Sequence, residues 1–394
     1  MAIKGYNFLK FFGVFCLTPL PPIVTLTSCS INETNEITNI KCEHNVEFGG
    51  CLIDVSPEEF ERNGFSLGDS INITFSNNIS FLNVPYHSSY YGYNKDVILV
   101  KLGNNLHLAQ KNTTTDFWKN FNFSDDTTAT ISMAEKGKYK KLEELLNLQY
   151  TNKRSDYNSD EQYTNFRCVT GGNLKDDFLY RGCTPSNLKA GDRYIYAQNL
   201  MEQNNISFSV NLCDSNEELD ELSKDPDIQW SEYLRNIYDN NLFYAFHFSI
   251  ISDTKESCED VAKVFKEIIS RQNELENVYV HCNEGKDRTG TICMLIESLC
   301  GCDYETIFND YMMSFKNFYK LDEIKEKERF DAITKYYFNE LVYMLIIATN
   351  SEAKRQDSYN NADFYQIAES YLKNGDMTDT EIALLITIFS KSSF

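Results

Sequence analysis

The run Val278-Tyr279-Val280-His281-Cys282-Asn283-Glu284-Gly285-Lys286-Asp287-Arg288-Thr289-Gly290 places a nucleophile and a phosphate ligand close together. Its opening residues favour a strand ending at His281, followed by a loop from Cys282 to Arg288 and an apolar helix from Thr289. A strand–loop–helix turn of this kind gathers backbone N–H groups and a helix N-terminus about one point, which makes an anion cradle. The same positive surroundings lower a thiol's pKa, so Cys282 is the expected nucleophile. Arg288 closes the loop and can grip two phosphate oxygens at once. Gly285 permits a backbone conformation that other residues resist. A cysteine and an arginine alone would say little. With His281, Gly285 and Thr289 beside them, the pattern points to a phosphate-handling thiolate.

The elements that must hold this loop read as strand–helix alternation. Phe208–Leu212 and Asn277–Val280 are expected strands, and Val261, Val264, Phe265, Ile268 and Ile269 mark one face of a helix. From Asp322 onward the chain reads as mostly helical, with Thr378 and Glu381 spaced as a capping box. The front of the chain, residues 41–137, reads as β-rich. Ile71, Ile73 and Phe75 alternate with polar neighbours, as do Ala129, Ile131 and Met133, and Val97–Val100 is a short apolar run. Ser56 precedes Pro57 and Glu59 as a helix cap would. Tyr86, Tyr90, Tyr91 and Tyr93 cluster near a glycine, either as loop packing or as a stacking surface. A helix at Lys138–Leu148 opens the second region, 138–394, and the polar stretch Thr151–Gln162 marks the junction.

At 394 residues the chain has room for two or three domains. Its 37 Lys and Arg against 58 Asp and Glu argue against nucleic-acid wrapping, which needs a basic surface. An acidic protein that handles anions must concentrate positive charge in one pocket. Lys4 and the uncharged stretch Phe11–Leu26 read as a secretory leader over residues 1–28, too short and too interrupted by Pro19, Pro21 and Pro22 to span a bilayer. Leu26-Thr27-Ser28-Cys29 resembles a bacterial lipobox, so Cys29 is expected either to carry lipid or to lie beside an ordinary cleavage site. Residues 29–40 then read as a polar tether. The 12 cysteines show no zinc-ligand spacing, and bridges Cys42–Cys51 and Cys168–Cys183 are left open.

The loop resembles the signature of the protein tyrosine phosphatase superfamily, Cys-x5-Arg with His before and Ser or Thr after. Its Gly-Lys-Asp-Arg-Thr-Gly form is similar to the bacterial tyrosine/serine phosphatases, some of which act on phosphoinositides. Asn165-Phe166-Arg167 with Gly171-Gly172-Asn173, Tyr180-Arg181-Gly182 with Pro185, Asn211-Leu212-Cys213-Asp214 and Asp310-Tyr311-Met312-Met313 resemble further family motifs in the right order, over about residues 150–350. The β-rich front looks like a segment carried by some secreted clostridial-type members. The resemblance implies an α/β phosphatase domain, a mostly parallel sheet flanked by helices, behind a small β-rich domain.

It also implies a phosphocysteine on Cys282, hydrolysed by water, with Arg288 and the loop amides of Asn283, Glu284 and Gly285 on the phosphate oxygens, and no metal or cofactor. Thr289 would hydrogen-bond the thiolate and His281 would orient the loop. Asp287 occupies the position proposed for the general acid in this subgroup; Asp214 and Asp253 are the alternatives. Lys286 is either a contact for a second phosphate or a solvated loop lysine. Arg181 is either a substrate contact or half of a buried ion pair. The chain departs from the family at Cys183, Asn211 and Cys213. The expected partner is a phosphorylated protein, or else a phosphoinositide or inositol phosphate, with no nucleic acid. The expected location is the cell surface, anchored through Cys29, or the extracellular medium. A surface interaction module with vestigial catalysis is the reading from another class.

Overall fold

The computed structural model describes residues 35–46, 49–111, 116–248 and 251–391. The stretch expected to be a leader, and Cys29, lie outside the described residues.

Alternating apolar side chains close the front of the chain into a barrel. Its strands are β1 (Glu36–His44), β2 (Cys51–Ile53), β3 (Ser70–Phe75), β4 (Ser80–His87), β5 (Val97–Leu102), β6 (Asn105–Gln110) and β7 (Thr128–Glu135). They run β1-β2-β6-β5-β4-β3-β7 around the barrel, with β1 pairing β7 and only β4 and β5 parallel. Phe60, Phe65, Ile71, Ile73, Tyr86, Leu99, Leu106, Leu108 and Ile131 fill it completely. The barrel is therefore packed with side chains and encloses no channel. Ser56 caps the short helix Pro57–Arg62 by accepting from the Glu59 amide at 3.1 Å.

The first strand begins at Glu36, inside the stretch expected to be a polar tether. Ile37 and Ile40 pair with Ile131 and Ala129 of β7, across an irregularity at Asn39, whose φ is +58°. That bulge breaks the two-residue period, so the strand did not stand out among its polar neighbours. All ten described cysteines are free thiols, so neither Cys42–Cys51 nor Cys168–Cys183 is bridged.

The second sheet contains β8 (Arg167–Cys168), β9 (Leu179–Cys183), β10 (Phe208–Asn211), β11 (Phe243–Ala245) and β12 (Val278–Cys282), in the order β11-β10-β12-β9-β8. The first four are parallel and β8 is an antiparallel edge. The strand period of two divides the sheet's residues between two cores. Val278, Val280 and Cys282 face the helices Lys255–Ser270 and Asp287–Leu299. Tyr279 faces the opposite core, with Phe243, Tyr180 and the helices Arg193–Gln203 and Glu232–Asp239. The central strand runs one residue further than expected, through Cys282, and the helix starts at Asp287, earlier than Thr289. Asp287 and Arg288 thus stand on a helical first turn.

Among the described residues, no helix is long and apolar enough to cross a membrane.

Candidate active site

Cys282 ends the fully buried central strand of the sheet, at its carboxyl edge, where open α/β sheets place their ligands. The loop after it is held from behind. Asn283 O accepts from the Thr184 amide at 3.3 Å. Glu284 O and Gly285 O accept from Asn165 Nδ2 at 3.0 and 3.1 Å, and Gly285 O also from Arg181 Nη2 at 2.9 Å. Lys286 O accepts from the Gly290 amide at 2.9 Å. A planar trans peptide sends its N–H opposite to its C=O. The amides of Glu284, Gly285, Lys286 and Asp287 are therefore turned away from these clamps, toward the concave side of the loop. Gly285 is required twice over: its φ is +68°, and a Cβ there would lie 2.2 Å from Gly182 O.

Burial alone would push the Cys282 thiol up. The Arg288 charge, with the hydroxyl and amide of Thr289, outweighs burial and leaves the thiol below its ordinary value. The Thr289 hydroxyl has no nitrogen or oxygen partner, which leaves it available to the sulfur. Arg288 donates from Nη1 to Leu212 O at 3.0 Å and Phe248 O at 2.9 Å, so the segments after β10 and β11 fix its guanidinium. Asn283 Oδ1 is buried without a partner.

Several side chains lie elsewhere than expected. His281 points to the face opposite Cys282, as its neighbouring place on a strand requires. It stacks on Tyr279 at 5.4 Å and meets Phe243 at 5.7 Å, and among the described residues neither ring nitrogen has a hydrogen-bond partner. It therefore neither touches the cradle nor orients the loop by hydrogen bonding. Burial lowers its pKa to about 3. Arg181 is not a substrate contact. It is wholly buried, ion-paired with Asp310, which also pairs with Arg167 at 2.6 Å.

Lys286 is neither solvated nor open to a ligand on all sides. Its Nζ meets Tyr319 Oη at 2.9 Å and Glu284 Oε2 at 3.1 Å, and stands 4.8 Å from the Tyr319 ring centre. Glu284 is likewise tied to Lys286 and Tyr319, so only its amide faces the cradle.

The three candidate acids separate cleanly. Asp214 is fully buried and accepts from Asn187, Ser186, Asn211 and Lys189, the last at 2.8 Å. Burial pushes its carboxyl up, but these donors prevail and hold it below the usual range. A carboxylate so restrained is a structural anchor. Asp253 pairs with Lys95 of the barrel at 2.7 Å and serves the seam between the regions. Asp287 alone is at the head of the loop helix with an exposed side chain, and lies 3.6 Å from Lys286 Nζ.

Beside the helix N-terminus lies a cavity of about 370 Å³. Asp287, Arg288, Tyr336, Tyr337 and Glu340 line it together with Tyr90 and Lys111 from the front region. Sequence reasoning missed Lys111, for which no local signal exists, and the loop-clamping role of Asn165. The tyrosine cluster around Tyr90 was the only hint that the front region reaches this cavity. Among the described residues, no group of His, Cys, Asp and Glu converges as a metal site would need.

A mostly parallel sheet ending in an amide cradle, with a thiol held below its ordinary pKa and an arginine close by in the same loop, defines a phosphatase. The description "Tyrosine phosphatase family" matches residues 161–390, more than half of the chain. The chain belongs to the tyrosine phosphatase family. Among solved structures, it is similar to the core catalytic domain of the PP-IP phosphatase SIW14 from S. cerevisiae, at 18% identity over 48% of this chain and 94% of that one, with a TM-score of 0.26. It is also similar to the PTP-2 phosphatase of Cydia pomonella, at 18% identity over 37% and 80%, with a TM-score of 0.24. TpbA of P. aeruginosa matches at 14% identity over 42% and 95%, with a TM-score of 0.23. No curated protein matches the chain.

Proposed function

We propose that the protein removes phosphate from phosphotyrosine, and from phosphoserine or phosphothreonine, through a phosphocysteine at Cys282. One observation carries the reading: the loop carbonyls are clamped outward by Asn165, Arg181, Thr184 and Gly290, beside a thiol held below its ordinary pKa. The thiolate attacks phosphorus, an S–P bond forms and the P–O bond to the leaving group breaks. Asp287 gives its proton to the departing oxygen. Water then attacks phosphorus, its proton passes to Asp287, the S–P bond breaks and inorganic phosphate leaves. Arg288 and the amides stabilise the equatorial oxygens, where charge resides in the transition state. Thr289 steadies the sulfur as a leaving group in the second step.

A second reading is hydrolysis of phosphoinositides or soluble inositol phosphates, favoured by the cavity beside the loop, whose lining includes Lys111, Lys286 and Arg288. The reading includes export and a cell-surface location through lipid on Cys29, supported by Lys4, Phe11–Leu26 and the lipobox-like run. Phosphate release from phosphotyrosine peptide, phosphoserine peptide and phosphoinositide, with Cys282→Ser as control, tests the activity. Equal release by that variant would remove the nucleophile. Metabolic labelling with palmitate tests the anchor, and label retained by Cys29→Ala would refute it.

A further inference from the structure

We propose that Lys111, just past the end of β6, forms a subsite for a second phosphate group that selects a polyphosphorylated small molecule or headgroup, the second reading above; the inference rests on the phosphatase reading of Cys282. The cavity of about 370 Å³ is of the size that takes small ligands. Lys286, Asp287 and Arg288 at the end of the loop border it together with Lys111, so the cavity adjoins the phosphate loop at Arg288.

Lys111 is 8% exposed and donates to Gly92 O at 2.6 Å and Tyr336 O at 3.4 Å. Both acceptors are neutral carbonyls, and among the described residues Lys111 makes no ion pair. Glu340, Asp96 and Asp287 act on this ammonium only through space, and Glu340 is already paired with Arg355, so an anionic ligand group would give Lys111 the direct ion pair it lacks. Burial lowers its pKa to about 8, with Glu340, Asp96 and Asp287 opposing that shift and Arg355 adding to it.

The neighbouring lysine differs. Lys111 Nζ stands 5.8 Å from the Tyr337 ring centre and Lys286 Nζ stands 5.6 Å from the same ring. Lys286 is already ion-paired with Glu284, so Lys111 is the ammonium with charge to offer. Tyr336 and Tyr337 stand on a π-helical segment, Thr334–Phe338, a feature that recurs at functional sites. The cavity lining sets Lys111, Lys286 and Arg288 against Asp287 and Glu340, and Glu340 is taken up by Arg355, so positive charge is in excess there in a chain of net charge -21.

The test compares kcat and KM of wild type, Lys111→Met and Lys111→Arg on p-nitrophenyl phosphate, phosphotyrosine peptide, inositol hexakisphosphate, and phosphatidylinositol bisphosphate in phosphatidylcholine vesicles. The last two arms separate a soluble source from a lipid headgroup. Losing a charge-assisted hydrogen bond predicts that Lys111→Met raises KM on the polyphosphorylated substrates by about tenfold more than on p-nitrophenyl phosphate. Lys111→Arg should recover most of that difference. Equal losses on every substrate would show that Lys111 only holds the seam, and a loss confined to the peptide would show a cavity that reads polypeptide; either overturns the proposal. Should Lys111→Met not fold, inositol hexakissulfate must inhibit the wild type far more tightly than inorganic sulfate, and equal inhibition refutes the subsite. Activity surviving in Cys282→Ser would instead refute the phosphatase reading itself.

Discussion

Arg181 Nη2 donates to the carbonyl of Gly285 at 2.9 Å, from a position without solvent exposure, while its Nη1 pairs with Asp310. One guanidinium thus links the loop to the helix Tyr304–Phe318. Arg181→Met leaves Asp310 with Arg167 alone and frees a loop carbonyl in a dry place. Removing one member of a buried pair predicts a loss of about 3 kcal/mol in stability, read by urea denaturation. It also predicts a fall in kcat beyond what the unfolded fraction explains. Arg181→Lys should not restore both, because one ammonium cannot reproduce the planar fork.

Gly285→Ala meets two obstacles, the positive φ and a Cβ placed 2.2 Å from Gly182 O. The loop must move away from β9, at a strain of about 1–3 kcal/mol. Phosphate release should fall by two orders of magnitude or more, because the amides no longer converge. The variant should still unfold cooperatively. Wild-type kcat in Gly285→Ala would contradict the cradle geometry.

Exchanging each acid for its amide separates the three candidates. Asp287→Asn should lower kcat by about 10²–10⁴-fold on a poor leaving group such as phosphoserine, and far less on p-nitrophenyl phosphate. Asp214→Asn should lower stability, since Lys189 would lose its buried partner, without that leaving-group pattern. Asp253→Asn loses the ion pair with Lys95 and should change kcat little. The comparison is a plot of log kcat against leaving-group pKa for each variant.

His281 supplies a pH-dependent term in stability. Its pKa is about 3 in the folded chain and near 6.5 when unfolded. Between these values the unfolded state binds the extra proton, so stability is full above about 6.5 and falls as the pH drops toward 3. From pH 7 to 5 the wild type should lose roughly 2 kcal/mol more than His281→Leu. Parallel loss in both would show that His281 is protonated in the fold.

What could be read beforehand was local. Cys282, Gly285, Arg288 and the strand before them lie within one short segment, and their spacing already implied the cradle. The capping box of Thr378 and Glu381 was legible for the same reason. The errors came from partners distant in sequence. Asp214 reads as an alternative acid on a loop after a strand until Asn187 and Lys189 close on it. Asp253 finds its partner, Lys95, in the other region. Arg181 had two readings, and only the approach of Asp310 decides between them. The orientation of His281 was legible in principle, since adjacent strand residues face opposite sides.

The most direct test traps the intermediate. Wild-type protein is mixed with phosphotyrosine peptide, quenched in acid within one turnover, digested, and analysed by mass spectrometry. The account predicts one phosphate on the sulfur of the Cys282 peptide, more of it in Asp287→Asn with p-nitrophenyl phosphate, and none in Cys282→Ser. Phosphate found on another residue, or turnover by Cys282→Ser at the wild-type rate, would contradict it.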